Sequence, residues 1–210
     1  FPSFIHLEAI SRLLSPNIPL SLGAQNCHDQ VGGAFTGEID AAMLHSVNVE
    51  YVLVGHSERR ICFLESNALI ARKINTLLSY KLKPFFCCGE PISVREDKQQ
   101  HAFIRQQITE SLFHLNAYEI SQIVFAYEPI WAIGTGITPS IVEIKEMQEE
   151  IRNIIADQFN PCLAENAMIL YGGSCNTKNI ATLINIPGIN GVLVGNASLH
   201  AQDFLHILNT

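Results

Sequence analysis

Six short apolar runs, each broken off at a polar residue or a glycine, constrain this chain more than any other feature: residues 18–26, 49–56, 83–90, 123–128, 167–173 and 191–196. They lack polar alternation, as expected of strands buried on both faces of a parallel sheet. Between them lie stretches of helical period. Residues 65–78 carry Leu69, Ile70, Ile74, Leu77 and Leu78 on one face, and residues 141–155 carry Ile144, Met147, Ile151 and Ile155. Repeated strand-then-helix units without a low-complexity linker predict an α/β fold, either a (β/α)8 barrel or an open doubly wound sheet. No G-x-G-x-x-G and no G-x-x-x-x-G-K-S/T follows any of these strands, so the barrel is the better reading.

With 210 residues, 48% hydrophobic and 16% charged, the chain can bury a sizeable core. Its net charge of −7, from 13 Lys and Arg against 20 Asp and Glu, argues against a nucleic-acid partner, which demands a basic surface. No apolar stretch approaches the roughly 20 residues that span a bilayer, and Phe1 to Glu8 lack the basic start of a signal peptide. A cytoplasmic protein without a membrane partner is expected. The six cysteines, Cys27, Cys62, Cys87, Cys88, Cys162 and Cys175, form neither a CxxC pair nor a zinc pattern, so they read as reduced thiols and no metal is expected. An anionic small substrate would have to be held by local donors such as backbone N–H groups.

In such barrels the active site gathers at the C-terminal strand ends, where this sequence puts Asn26, His56, Glu90, Glu128, Ser174 and Asn196. Glu128 precedes Pro129, which disfavours helical geometry and suits a strand terminus opening into a loop. A carboxylate there is a candidate general base. Trp131, Ala132, Ile133, Gly134, Thr135 and Gly136 follow, an apolar segment with two glycines that suits a lid excluding water. His56 ends its own run ahead of Ser57-Glu58-Arg59-Arg60 and is a candidate electrophile, kept neutral by a helix N-terminus. Two late turns, Tyr171-Gly172-Gly173-Ser174 and Val194-Gly195-Asn196-Ala197-Ser198, allow close approach of backbone N–H groups to a phosphate.

Across nearly its whole length the sequence resembles the triosephosphate isomerase family. The resemblance runs through Gly33 to Glu38, Gly55-His56-Ser57-Glu58-Arg59-Arg60, Ala126 to Gly136, Tyr171 to Ser174 and Leu193 to Leu199. It implies a (β/α)8 barrel that interconverts dihydroxyacetone phosphate and glyceraldehyde 3-phosphate through an enediolate, in glycolysis and gluconeogenesis, without metal or organic cofactor. Carried over by motif, Glu128 is the base and neutral His56 hydrogen-bonds the enediolate oxygens. Gly134, Ser174, Gly195 and Asn196 hold the phosphate, and Glu58 and Cys88 support the site. The loop at Phe35 and Thr36 implies a homodimer.

Three departures accompany the resemblance. The family opens with a strand, a helix, a second strand and an Asn-x-Lys motif carrying the catalytic Lys, whereas this sequence starts at Phe1-Pro2-Ser3 and matches from just after that second strand. The expectation is therefore one barrel domain over residues 1–210 that carries about six strands and lacks the first βαβ unit. The alternative reading is a non-catalytic relative kept for binding or assembly. Pro139 stands where the family offers a backbone N–H to the tyrosine matching Tyr171, so the lid is expected to close with one fewer latch. Asn196 replaces a second glycine of the last phosphate loop, but it retains its N–H and tolerates left-handed backbone.

Overall fold

Short strands joined by helices suit parallel pairing, because a parallel neighbour has to be reached by a crossover connection. The computed structural model describes residues 1–15 and 17–210. In chain order it contains α1 (Leu7–Leu13), β1 (Gly23–Ala24), α2 (Ala41–Ser46), β2 (Tyr51–Val54), α3 (Ser57–Cys62), α4 (Asn67–Ser79), β3 (Lys83–Cys88), α5 (Ile92–Glu96) and α6 (Gln100–Leu112). There follow α7 (Ala117–Ile120), β4 (Val124–Tyr127), α8 (Ile141–Gln158), α9 (Pro161–Asn166), β5 (Met168–Tyr171), α10 (Ile180–Ile184), β6 (Gly191–Val192) and α11 (Ala201–Leu208). Among the described residues no helix is long and apolar enough to cross a membrane.

The chain divides into two compact units, Phe1–Phe86 with Glu110–Ile123, and Cys87–Thr109 with Val124–Thr210. In the first, β1 pairs parallel with β2 through Gly23 opposite Tyr51, and β2 with β3 through Tyr51 opposite Lys83. Its core holds Ala24, Val52, Val54 and Phe86 against Ile70, Ile74 and Leu77 of α4, all fully buried. These last three recur at helical spacing, as the sequence predicts. In the second, β4 pairs parallel with β5 through Val124 opposite Met168, and β5 with β6 through Leu170 opposite Gly191. There Phe125, Ile169 and Tyr171 are buried, as are Met147, Ile151 and Ile154 of α8.

The predicted strands are real but shorter. Of residues 18–26 only Gly23 and Ala24 join the ladder, although Glu50 and Tyr51 still donate to the Leu22 carbonyl. Pro19 has no N–H to contribute to a ladder. Of residues 191–196 only Gly191 and Val192 pair, and residues 196–199 coil into a 3-10 turn. The helices start where capping chemistry dictates. Ser66 accepts from Leu69 N at 3.2 Å to open α4, and Ser140 with Glu143 makes a reciprocal capping box that opens α8. Such caps contribute about 1 kcal/mol each.

One buried ionic cluster anchors the first unit. Lys73, 4% exposed, donates to Asn26 Oδ1 at 2.6 Å and to Glu65 Oε1 at 2.7 Å, and Arg59 Nε reaches the same Glu65 oxygen at 2.6 Å. It ties the end of β1 to α4 and to the chain after α3. The cluster also surrounds Cys27, whose thiol burial pushes up to about 12. Removing one member of a buried ion pair typically costs about 3–5 kcal/mol, because the other charge is left uncompensated. Lys73→Met is therefore expected to destabilise the protein by about that much in urea unfolding. Arg72→Ala, which removes the exposed pair to Asp29, should cost less than about 1 kcal/mol. Equal losses from the two variants would contradict this account.

Candidate active site

In the second unit the chain leaves β4 at Tyr127 and delivers Glu128, 1% exposed, whose N–H donates to the Cys88 carbonyl at 2.8 Å. Two glycines make room for it. A Cβ on Gly89 would lie 1.6 Å from the Glu128 carbonyl oxygen, and a Cβ on Gly172 would lie 2.9 Å from Glu128 Cγ. Gly172 N also donates to the Tyr127 carbonyl at 2.7 Å, drawing the end of β5 tight against Glu128. Gly89 is itself held from behind. Its N–H donates to Gln107 Oε1 at 2.9 Å, and Gln107 Nε2 donates back to the Gly89 carbonyl at 3.3 Å.

Beside this carboxylate lies a second one with a different task. Glu90 is fully buried, and its Oε1 accepts from the Tyr127 hydroxyl at 2.9 Å, Trp131 Nε1 at 3.2 Å and an Arg95 guanidinium nitrogen at 3.4 Å. Ile130 N donates to the Glu90 carbonyl at 3.1 Å. Glu90 thus fixes where the 131–136 segment begins. Burial raises its carboxyl above the ordinary range, opposed by the hydrogen bonds from Trp131 and Tyr127 and by the Arg95 charge. The segment opens with a 3-10 turn over Ile130–Ala132 and passes Gly134 at φ +69° and Gly136 at φ +77°. It exposes residues 134–138 before Ser140 caps α8.

The two late loops also belong to the second unit. Ser174 follows β5, and its carbonyl accepts from Asn179 Nδ2 at 3.0 Å. Gly195 and Asn196 are exposed, and the Gly195 carbonyl accepts from both Ser198 N and Ser198 Oγ. Tyr171 is fully buried, yet its hydroxyl meets no hydrogen-bond partner among the described residues. A Cβ on Gly173 would come within 2.2 Å of that hydroxyl, so glycine is required there.

The first unit carries His56, Glu58, Phe35 and Thr36. His56 is the N-cap of α3, and its Nδ1 accepts from Glu58 N at 3.4 Å. A neutral ring that accepts at Nδ1 carries its proton on Nε2. The preceding Gly55 sits at φ +74°, and its carbonyl is held by Arg60 Nε at 2.7 Å. Glu58 supports the ring through its backbone, since its side chain points largely into solvent. Phe35 is exposed and stacks at 4.4 Å on His28, within the loop that also carries Thr36.

The structure thus brings Glu128, Cys88 and the start of the 131–136 segment together in one unit. It adds three residues that the sequence reading did not assign. Gly172 lay in plain view inside a motif and Gly89 just before Glu90, but their role is steric and needs a neighbour distant in sequence to reveal it. Gln107 lies mid-helix without any local signal.

Glu90 generates a pH prediction. Its folded carboxyl lies above the unfolded value, so folding favours the protonated form. The folded state therefore loses stability as pH rises from the ordinary carboxylate value through the raised one. Glu90→Gln removes that penalty. Its melting temperature relative to the unsubstituted chain is expected to climb as pH rises above the ordinary carboxylate value of about 4, whereas a pH-independent difference would refute the assignment.

Comparisons with known proteins identify the family. The family model described as triosephosphate isomerase matches residues 1–210. The triosephosphate isomerase of Amoebophilus asiaticus is 66% identical over 210 residues, covering 100% of this chain and 83% of that protein. Those of Cytophaga hutchinsonii and Phocaeicola vulgatus are 45% identical over 204 residues and 41% over 206, covering 97% and 98% of this chain and 80% and 81% of theirs. With its parallel strands, intervening helices and a family match across residues 1–210, the chain belongs to the triosephosphate isomerase family, isomerase enzymes of the (β/α)8-barrel class.

Proposed function

We propose that this protein interconverts dihydroxyacetone phosphate and glyceraldehyde 3-phosphate by moving one proton between adjacent carbons. Glu128 removes a proton from the carbon beside the carbonyl, the C–H electron pair forms the enediolate double bond, and the carbonyl oxygen takes the negative charge. His56, neutral and protonated on Nε2, donates to that oxygen. Glu128 then returns the proton to the neighbouring carbon, while the hydroxyl proton passes from one oxygen to the other by way of His56, so that the former carbonyl oxygen becomes the hydroxyl and the former hydroxyl oxygen the new carbonyl. This is the carboxylate-plus-neutral-imidazole chemistry for which this family is itself the standard worked example. The observation that carries the reading is the seat of Glu128, a carboxylate closed off from bulk water at a strand end and cleared by two glycines. Such confinement orients a base before substrate arrives.

The remaining assignments belong to the same reading. Backbone N–H groups of Gly134, Ser174, Gly195 and Asn196 hold the phosphate, and residues 131–136 close over it. Pro139, lacking an N–H, leaves that closure without a latch to Tyr171. Cys88 supports the site through its carbonyl to Glu128, and Glu58 through its N–H to His56. No cofactor takes part. The chain acts as one barrel domain in a cytoplasmic homodimer, in glycolysis and gluconeogenesis, with the Phe35 and Thr36 loop reaching the partner.

Glu128→Asp tests the core of this reading, because it keeps the charge and withdraws the carboxylate by one methylene. In a coupled assay with either triose phosphate, kcat is expected to fall about a hundredfold or more, with KM changed far less. Size-exclusion chromatography of the same sample is expected to give a dimer. Turnover undiminished in Glu128→Asp would remove the base assignment, and no turnover in the unsubstituted protein would favour a non-catalytic role.

A further inference from the structure

We infer that Arg95 is a positioning residue that couples the two ends of the Trp131–Ser140 segment, so that the segment moves as one piece. The inference rests on reading that segment as a lid. Arg95 lies on α5, outside every motif singled out from the sequence, and its side chain is only 12% exposed. One guanidinium nitrogen is 3.4 Å from Glu90 Oε1, the same oxygen that receives Trp131 Nε1. The guanidinium carbon also sits 5.9 Å from the centre of the Trp131 ring. The opening end of the segment is thereby tied to Arg95 twice, through a shared acceptor and through the ring face.

The closing end comes back to the same cation. Ser140 N and Ser140 Oγ donate to Glu143 Oε2 at 2.7 and 2.8 Å, and Glu143 Oε1 stands 3.6 Å from Arg95 Nη2. The same nitrogen donates to Glu146 Oε2 at 3.0 Å, one turn further along α8. Glu146 is itself braced by Gln100 and His101 of α6, at 3.0 and 2.8 Å. A single cation therefore faces Glu90 at one end of the segment and Glu143 with Glu146 at the other. Between the anchors lie Gly134 and Gly136 at positive φ, and the exposed stretch from residue 134 to 138.

Electrostatics explains why the residue is Arg. Three carboxylates around one site repel each other, and only a planar fork with several N–H donors can meet all three while lying over an indole ring. Lysine would keep the charge but concentrate it at a point. Losing the fork should therefore loosen both ends together. A pair of separate anchors, each with its own local partner, would loosen one at a time.

The test is a set of variants in two backgrounds. Trp131→Phe removes the donor at the opening end, Glu143→Gln weakens the closing end, and the two are combined with Arg95 intact and in Arg95→Lys. With Arg95 intact, each single variant is expected to lower kcat/KM for triose phosphate about threefold to tenfold, and the double variant by no more than about the larger single effect. In Arg95→Lys the two losses should instead multiply. Multiplying losses in both backgrounds would overturn the coupling. Hydrogen exchange supplies a readout that needs no turnover. In Arg95→Lys the amides at 132–133 and at 140–141 are expected to exchange faster together, while those of β4 stay unchanged. Acceleration at one end only, or at neither, would overturn the inference even if the protein proved inactive, whereas inactivity with joint acceleration would strike only the functional reading.

Discussion

A steric constraint governs the second unit: Glu128 occupies its place only because two neighbouring positions have no side chain. The 1.6 Å and 2.9 Å separations that a Cβ would have from Glu128 leave no room for even alanine at Gly89 or Gly172 without displacement. Backbone hydrogen bonds then fasten what the clearance allows, from Glu128 N to the Cys88 carbonyl and from Gly172 N to the Tyr127 carbonyl. Gln107 completes the seat by holding both polar groups of Gly89, so a side chain from α6 decides how a loop after β3 meets a loop after β4. Packing this close transmits small displacements without absorbing them.

Two buried carboxylates follow β3 and β4. Glu128 is seated by glycines and backbone groups. Glu90 is surrounded by donors, the Tyr127 hydroxyl, the Trp131 indole and the Arg95 guanidinium, and so serves as an anchor. In the first unit the same economy appears with other residues, where Glu65 collects Lys73 and Arg59, and where His56 uses one ring nitrogen as a helix cap. Fixed dipoles and charges of this kind suit chemistry in which charge develops on an oxygen and must be met without rearrangement.

Much of this was legible in the sequence, for identifiable reasons. The unalternating apolar runs revealed buried parallel strands because burial on both faces leaves no polar positions. The Glu128-Pro129 pair marked a strand end because proline restricts its predecessor. The strand limits were less legible, since a ladder ends where its partner ends, and neither Pro19 nor the coil over residues 196–199 breaks the apolar pattern. The roles of Gln107, Arg95 and Gly172 were not legible. Each acts across a separation of many residues, on a neighbour that only the fold supplies.

The most direct measurement of the central claim is the kcat of Gly172→Ala alongside its unfolding free energy. The added methyl would press on Glu128 Cγ and the Tyr127 carbonyl, a displacement on the order of 1 Å at the proposed base. The account predicts that kcat for triose phosphate falls about a hundredfold while the protein stays folded and retains most of its stability. A folded Gly172→Ala protein with undiminished kcat would contradict it, since the seat of Glu128 would then be irrelevant to the chemistry.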